Sequence, residues 1–103
     1  MSYILGHSAA TPGWYVITVG GECDMNAAPS LSVAVEAAFR REATTMVVDL
    51  NAVTFIDSTA IGILLAARER LLRSGGSFEV VCNVPAVTRI LEIVGVEAVA
   101  GVR

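Results

Sequence analysis

From Thr45 onward the chain alternates short apolar runs with amphipathic stretches, and the punctuation between them is brief. That alternation constrains the fold more than any other feature. Thr45 to Leu50 (TMVVDL) reads as a buried strand, and Asp49 interrupts it near its end. Asp57-Ser58-Thr59 is an N-cap cluster that opens a helix to about Arg73, where Gly75-Gly76 supplies the stop. Phe78 to Cys82 is the next strand. Asn83 caps and Pro85 starts a further helix to about Val94, with Gly95 ending it. Glu97 to Val102 reads as a last short strand. Strands alternating with helices imply parallel neighbours joined by right-handed crossovers.

Upstream, Tyr3 to Ser8 is a weak strand, Pro12-Gly13 a turn, and Trp14 to Val19 a better strand. The short link makes this pair an antiparallel hairpin. Gly20-Gly21 ends the second strand, and Glu22-Cys23-Asp24 follows as a loop. Asn26 or Ala27 then opens a helix with Pro29 in its first turn. Leu31, Ala34, Val35, Ala38 and Phe39 give that helix one core face. The expected fold class is α/β: a mixed sheet of about five strands, opening hairpin first and parallel strands after, with three crossover helices. The 103 residues show no linker, low-complexity tract or repeat, so one domain over 1–103 is expected.

Composition removes several function classes. With 54% hydrophobic and 17% charged residues the chain is too apolar for a disordered segment. All seven basic residues are arginine, against ten acidic ones, for a net charge of −3. No basic run offers a nucleic-acid surface. Without lysine there is no P-loop and no Schiff-base chemistry. No apolar run approaches the roughly 18 residues of a membrane span, and Met1 to Ala10 has no positive n-region. Cys23 and Cys82 have no CxxC spacing and read as reduced thiols of a cytoplasmic protein.

In open sheets, sites gather at the carboxyl ends of the parallel strands. Three such ends, Glu22 to Asp24, Thr54 to Ser58 and Cys82 to Asn83, are expected along one rim. Capping alone can account for these residues: Asp57 or Ser58 for the second helix, Asn83 for the third, and Asp24 or Asn26 for the first, each cap contributing about 1 kcal/mol. The helix after Ser58 adds a second observation. At 100° per residue, Ala60, Leu64, Ala67 and Leu71 form a buried stripe, flanked by Ile61, Leu65 and Leu72. The opposite arc carries Ser58, Gly62, Ala66, Glu69 and Arg73, with Thr59 and Arg70 at its edge. Arg68 falls among the buried positions, where its aliphatic stem can pass the core edge. Small residues on an outer face leave the backbone bare, which suits close approach of another protein or of a loop of the same domain. A hydroxyl at a helix N-terminus is favourably placed for phosphate. Catalysis lacks its parts: the sole histidine, His7, falls on the first strand, no GxSxG elbow exists, and no residue set suits a metal. No enzyme activity, cofactor or metal is expected.

The stretch VVDLNAVTFIDSTAIGILLAARERLLRSGGSFEVVCNVPAVTRILEIVGV resembles the STAS domain of bacterial anti-sigma factor antagonists. GGECDMNAAP is similar to that family's Gly-Glu-x-Asp segment after the second strand. The likeness runs from about Trp14 to the C-terminus. Its specific combination is an Asp-Ser-[Ser/Thr]-Gly-x-Gly core, a Gly-Gly turn and an x-x-Pro-x-V-x-R-x-L helix. The resemblance implies partner switching: the unphosphorylated protein binds an anti-sigma factor, usually a serine kinase with a histidine-kinase-like ATP site, and so frees a sigma factor. The kinase inactivates the antagonist by phosphorylating the serine after the aspartate, and a serine phosphatase resets it. Carried over, Ser58 is the acceptor; Asp57, Thr59 and the face around Gly62 and Ala66 contact the kinase; Asp24 matches the acidic loop position. The alternative is a STAS subunit without a phospho-switch, a stressosome-like scaffold or lipid-transport accessory. Departures are Ala60 for the usual glycine, Thr59 for the commoner serine and Cys23 for an aliphatic residue. The final helix of many members is also missing, so a homodimer that covers an exposed apolar patch is an expectation.

Overall fold

The computed structural model describes residues 2–99. Its elements are β1 (Tyr3–Ser8), β2 (Trp14–Cys23), α1 (Ala28–Arg40), β3 (Thr45–Ile56), α2 (Ser58–Arg73), β4 (Ser77–Val81), α3 (Pro85–Ile93) and β5 (Ala98–Val99). The sheet order follows the chain, β1-β2-β3-β4-β5. β1 runs antiparallel to β2, and the remaining neighbours are parallel.

A strand order that never reverses, with crossovers of one hand, sends every helix to the same face. The core shows this. Tyr15, Ile17 and Val19 of β2, Met46, Val48 and Leu50 of β3, and Val80 of β4 meet Leu31 and Val35 of α1, Leu64 and Leu71 of α2, and Val87 and Leu91 of α3 in one cluster. The alternate strand residues point the other way. There Trp14, Val16, Val47, Asp49 and Val81 line a cavity of about 280 Å³.

The helix ends follow their expected chemistry. Gly75 and Gly95 take φ of +84° and +83°, which suits glycine. The N–H groups of Gly76 and Val96, one residue on, return to the carbonyls of Leu71 and Leu91 at 2.9 and 2.8 Å. The start of α3 differs from expectation. Its N-cap is Val84, with no side-chain cap. Asn83 is held instead by its backbone N–H, which donates to Asn51 Oδ1 at 2.7 Å.

Two strands are longer than expected. Gly20-Gly21 does not end β2, which continues to Cys23, and β3 continues past Leu50 to Ile56. The pairing shifts register between Thr18 and Gly20 and between Gly21 and Glu22. Gly20 is a packing position, because a Cβ there would strike the Tyr3 ring. Of the last expected strand, Ala98–Val99 is seen, and residues 100–103 lie outside the described residues.

Candidate functional site

The added lengths of β2 and β3 carry the site. β3 pairs with β4 only as far as Asp49 and Val81, whereas it pairs with β2 out to Cys23 and Ile56. Beyond Asp49 a two-strand arm projects past the rest of the sheet, and α2 begins at its tip. The rim is therefore stepped. Cys82 and Asn83 lie level with Asn51, whose side chain Asn83 contacts. Five strand residues at about 3.3 Å separate that level from Ile56, roughly 16 Å. Two of the three expected strand ends meet at the tip, and the third does not.

At the tip, Asp57 is the N-cap of α2, with extended φ/ψ of −109° and 178°, and its side chain accepts from the Ala60 N–H at 3.0 Å. Its own N–H donates to the Cys23 carbonyl at 3.2 Å, which ties the start of α2 to the end of β2. Asp24 folds the next loop: Oδ1 accepts from the N–H of Asn26 at 3.0 Å and of Ala27 at 3.3 Å. α1 itself starts at N-cap Ala27 without a side-chain cap, so Asp24 holds the turn that delivers the helix. Both carboxylates stand within electrostatic reach of the buried Cys23 thiol. Burial first, then the charges of Asp57 and Asp24, push that thiol up to about 11.

Ser58 is exposed, and its hydroxyl has no hydrogen-bond partner among the described residues. Asp57 does the capping, so the serine is free for other chemistry. Thr59, Gly62, Ala66, Glu69 and Arg73 are exposed as the helical stepping requires, and Ala60, Ile61, Leu64, Ala67 and Leu71 are buried. Leu72 departs from expectation: it is 46% exposed, because the stripe narrows toward the end of the helix. A Cβ placed on Gly62 would meet nothing within 4 Å. Among the described residues no loop covers Gly62, and it lies on the exposed side of the helix. Ala66 borders a groove of about 220 Å³ between α2 and α1, shared with Ser32 and Phe39. One side of that groove is held by Arg70, which bonds Glu36 at 2.9 Å and lies 3.8 Å over the Phe39 ring. Ala60, which replaces a small backbone position, is fully buried and fills the core with its methyl.

Two side chains escape sequence reasoning. Met25, after Asp24, is 68% exposed, and Phe55, three residues before Ser58, is 51% exposed. Each reads as core from its residue type alone. The arm itself is backed by the helices, since Cys23, Val53 and Ile56 belong to the core; Met25 is exposed because it lies in the turn after β2, and Phe55 because it faces away from the core beside buried Ile56. His7 pairs with Val16, seven residues from the Cys23 end of β2. At about 3.3 Å per residue that is on the order of 20 Å from Ser58, too far to serve it as a base. Among the described residues no group of three His, Cys, Asp or Glu could hold a metal, and no helix is long and apolar enough to cross a membrane.

The sequence matches the STAS domain family over residues 8–102. The anti-sigma-F factor antagonist RsfB of Mycobacterium tuberculosis (strain CDC 1551 / Oshkosh) is 32% identical over 85 residues, 82% of this chain and 69% of that protein. A crystal structure of an anti-sigma factor antagonist from Mycobacterium paratuberculosis superposes with a TM-score of 0.86 at 30% identity, over 99% of this chain and 88% of that one. The anti-sigma factor antagonist SpoIIAA in its unphosphorylated form gives 0.81 over 97% and 90%, at 20% identity, which is a likeness of fold. The Bacillus protein has also been solved in its phosphorylated form. With the family matched across the arm, the capped serine and all three helices, this chain belongs to the STAS domain family.

Proposed function

We propose that this protein is an anti-sigma factor antagonist. Unphosphorylated, it docks an anti-sigma factor of the serine-kinase type through Asp24, Asp57, Ser58, Thr59, Gly62 and Ala66, and so releases a sigma factor. Phosphorylation of Ser58 by that kinase ends the contact, and a serine phosphatase restores it. The reading is supported most by one observation: an exposed serine hydroxyl, free of structural duty, beside a helix face where no described residue covers Gly62.

Phosphate would add about −1.5 to −2 charge at that point. The helix N-terminus favours an anion, while Asp57 and Asp24 repel it. The added charge falls on the docking face and not in the core, so the modification acts on the interface. Ser58→Ala as bait should capture a kinase-like anti-sigma factor from the native host, and ATP should transfer phosphate to the wild-type chain at residue 58. Ser58→Asp should lose the captured partner. Equal binding by Ser58→Ala and Ser58→Asp, or phosphate placed elsewhere by the captured kinase, would refute the switch.

A further inference from the structure

We propose that two copies of this chain associate edge to edge through β1, around a two-fold axis at Gly6. β1 is the outer strand of the sheet and pairs only with β2. The Ala9 N–H donates to the Trp14 carbonyl at 2.9 Å, which fixes the phase of the ladder. Hydrogen-bonded and non-bonded pairs alternate, so Tyr3, Leu5 and His7 turn their backbone groups toward β2. Ile4, Gly6 and Ser8 turn theirs outward, and these have no partner among the described residues.

This edge lacks the protection that natural sheets give an open strand. YILGHS contains no proline, lysine, arginine, aspartate or glutamate, and its register with β2 runs without a bulge. On the helix side α1 stands back from the strand and leaves a groove of about 430 Å³ between Ile4, Gly6, Tyr15 and Pro29, Val33, Ala37. Leu5, 60% exposed, and Val33, 65% exposed, flank the edge on its two faces.

Three features select a second copy as the occupant. An antiparallel pairing centred on Gly6 sets Ile4 opposite the partner's Ser8 and Gly6 opposite the partner's Gly6, so every outward group of the strand is used. Such a pairing gives about six backbone hydrogen bonds, two per opposed pair. At the axis the side chains facing each other are glycines, over which Tyr15 already lies. The chain carries a net charge of −3, so like copies repel, yet no charged residue lines this edge or its groove. The surface is 5788 Å², and a small-protein interface takes about a tenth of it, roughly 600 Å² per copy. That is the low end for a specific contact, the class of weak and transient encounters, so a micromolar affinity is expected and not a tight dimer.

Such pairing reverses one sheet relative to the other. The two Ser58 tips then point in opposite directions, and each remains open to its own partner. The association is therefore independent of the phospho-switch.

Sedimentation velocity from about 5 to 500 µM, a range that brackets that affinity, tests the assignment together with hydrogen exchange resolved at single amides. The sedimentation coefficient should rise with concentration. The amides of Ile4, Gly6 and Ser8 should gain protection in step, while those of Leu5 and His7, already bonded to β2, should not change. The double variant Leu5→Lys/Val33→Lys should stay monomeric with an unaltered melting curve, and Ser58→Asp should dimerise like wild type. A monomer at every concentration overturns the proposal. So does a dimer that leaves the Ile4, Gly6 and Ser8 amides unprotected, or one that survives the double variant, because each puts the contact elsewhere.

Discussion

On the proposed docking face, Gly62 is where folding and docking can be separated in a single residue, and its substitution makes the strongest prediction. Glycine inside a helix costs about 0.8–1.0 kcal/mol relative to alanine, from backbone freedom lost on folding. A helical glycine normally keeps that cost because a neighbour fills the space. Here a Cβ would meet nothing within 4 Å, and the φ is not in the left-handed region. Gly62→Ala should therefore recover nearly the whole amount. For a domain of this size about 1 kcal/mol raises Tm by roughly 4–8 °C. The added methyl lies on the face assigned to the partner, so affinity should fall as stability rises. Gly62→Arg should keep most of the fold, since arginine is a good helix former on an exposed face. It should cost at least about tenfold in Kd, or 1.4 kcal/mol. Urea melts and calorimetric titration with the captured anti-sigma factor read both quantities on the same samples. If Gly62→Ala lowers stability, something does pack on that face. If Gly62→Arg binds as tightly as wild type, the α2 outer arc is not the docking surface.

The cap and the buried thiol give further tests. Asp57→Ala removes the side-chain N-cap of α2 and should cost about 0.5–2 kcal/mol in urea denaturation, whereas Asp57→Ser, also a good cap, should recover most of it. Asp24→Ala releases the Asn26 N–H, while the Ala27 N–H keeps its bond to the Asp24 carbonyl, and should lower stability by about 1 kcal/mol, with loss of amide protection centred on Asn26. The Cys23 thiol, raised from 9.0 to about 11, makes stability depend on alkaline pH. Between those values the unfolded chain has released the proton and the folded chain has kept it, so stability falls as pH rises through this window. Cys23→Ala should flatten that slope, and an equal slope in the variant would show that another group causes it. Iodoacetamide at pH 8 should leave Cys23 unmodified in the folded protein and label it in urea.

Most of the fold is legible in the sequence because its signals are local. The Asp57-Ser58-Thr59 cap cluster, the glycine stops and the helical spacing of Leu31 through Phe39 and of Ala60 through Leu71 each need only a few neighbouring residues, whereas the side-chain caps expected for α1 and α3 do not form. What is hidden depends on pairing at a distance. Gly20-Gly21 carries the usual mark of a strand end, but the Tyr3 ring over Gly20 makes it part of a bulged ladder. Asn51 and Thr54 weaken the strand pattern after Leu50, yet β2 still pairs along that stretch and keeps it extended. The stepped rim follows from those two extensions, so Cys82 and Asn83 were expected beside Ser58 and lie a strand length below it. Met25 and Phe55 are hidden for a related reason: residue type says core, and only the turn after β2 and the shifted register of β3 put them at the surface.

The division of labour between Asp57 and Ser58 lets the phosphate acceptor proposed at Ser58 stand at a helix start without endangering the helix. The cap bond to the Ala60 N–H comes from Asp57, and the bond that fastens the turn to β2 comes from the Asp57 N–H. Ser58 lies one position later, in the first helical turn, with its side chain outside both bonds. If the serine were the cap, a phosphate would compete with the fold's own hydrogen bond, and switching would be paid for in stability. With the aspartate as cap, the phosphorylated and unmodified chains should unfold at nearly the same urea concentration while differing widely in partner affinity. A large change in stability on phosphorylation would show that the hydroxyl supports the helix after all, and the two roles would no longer be separable.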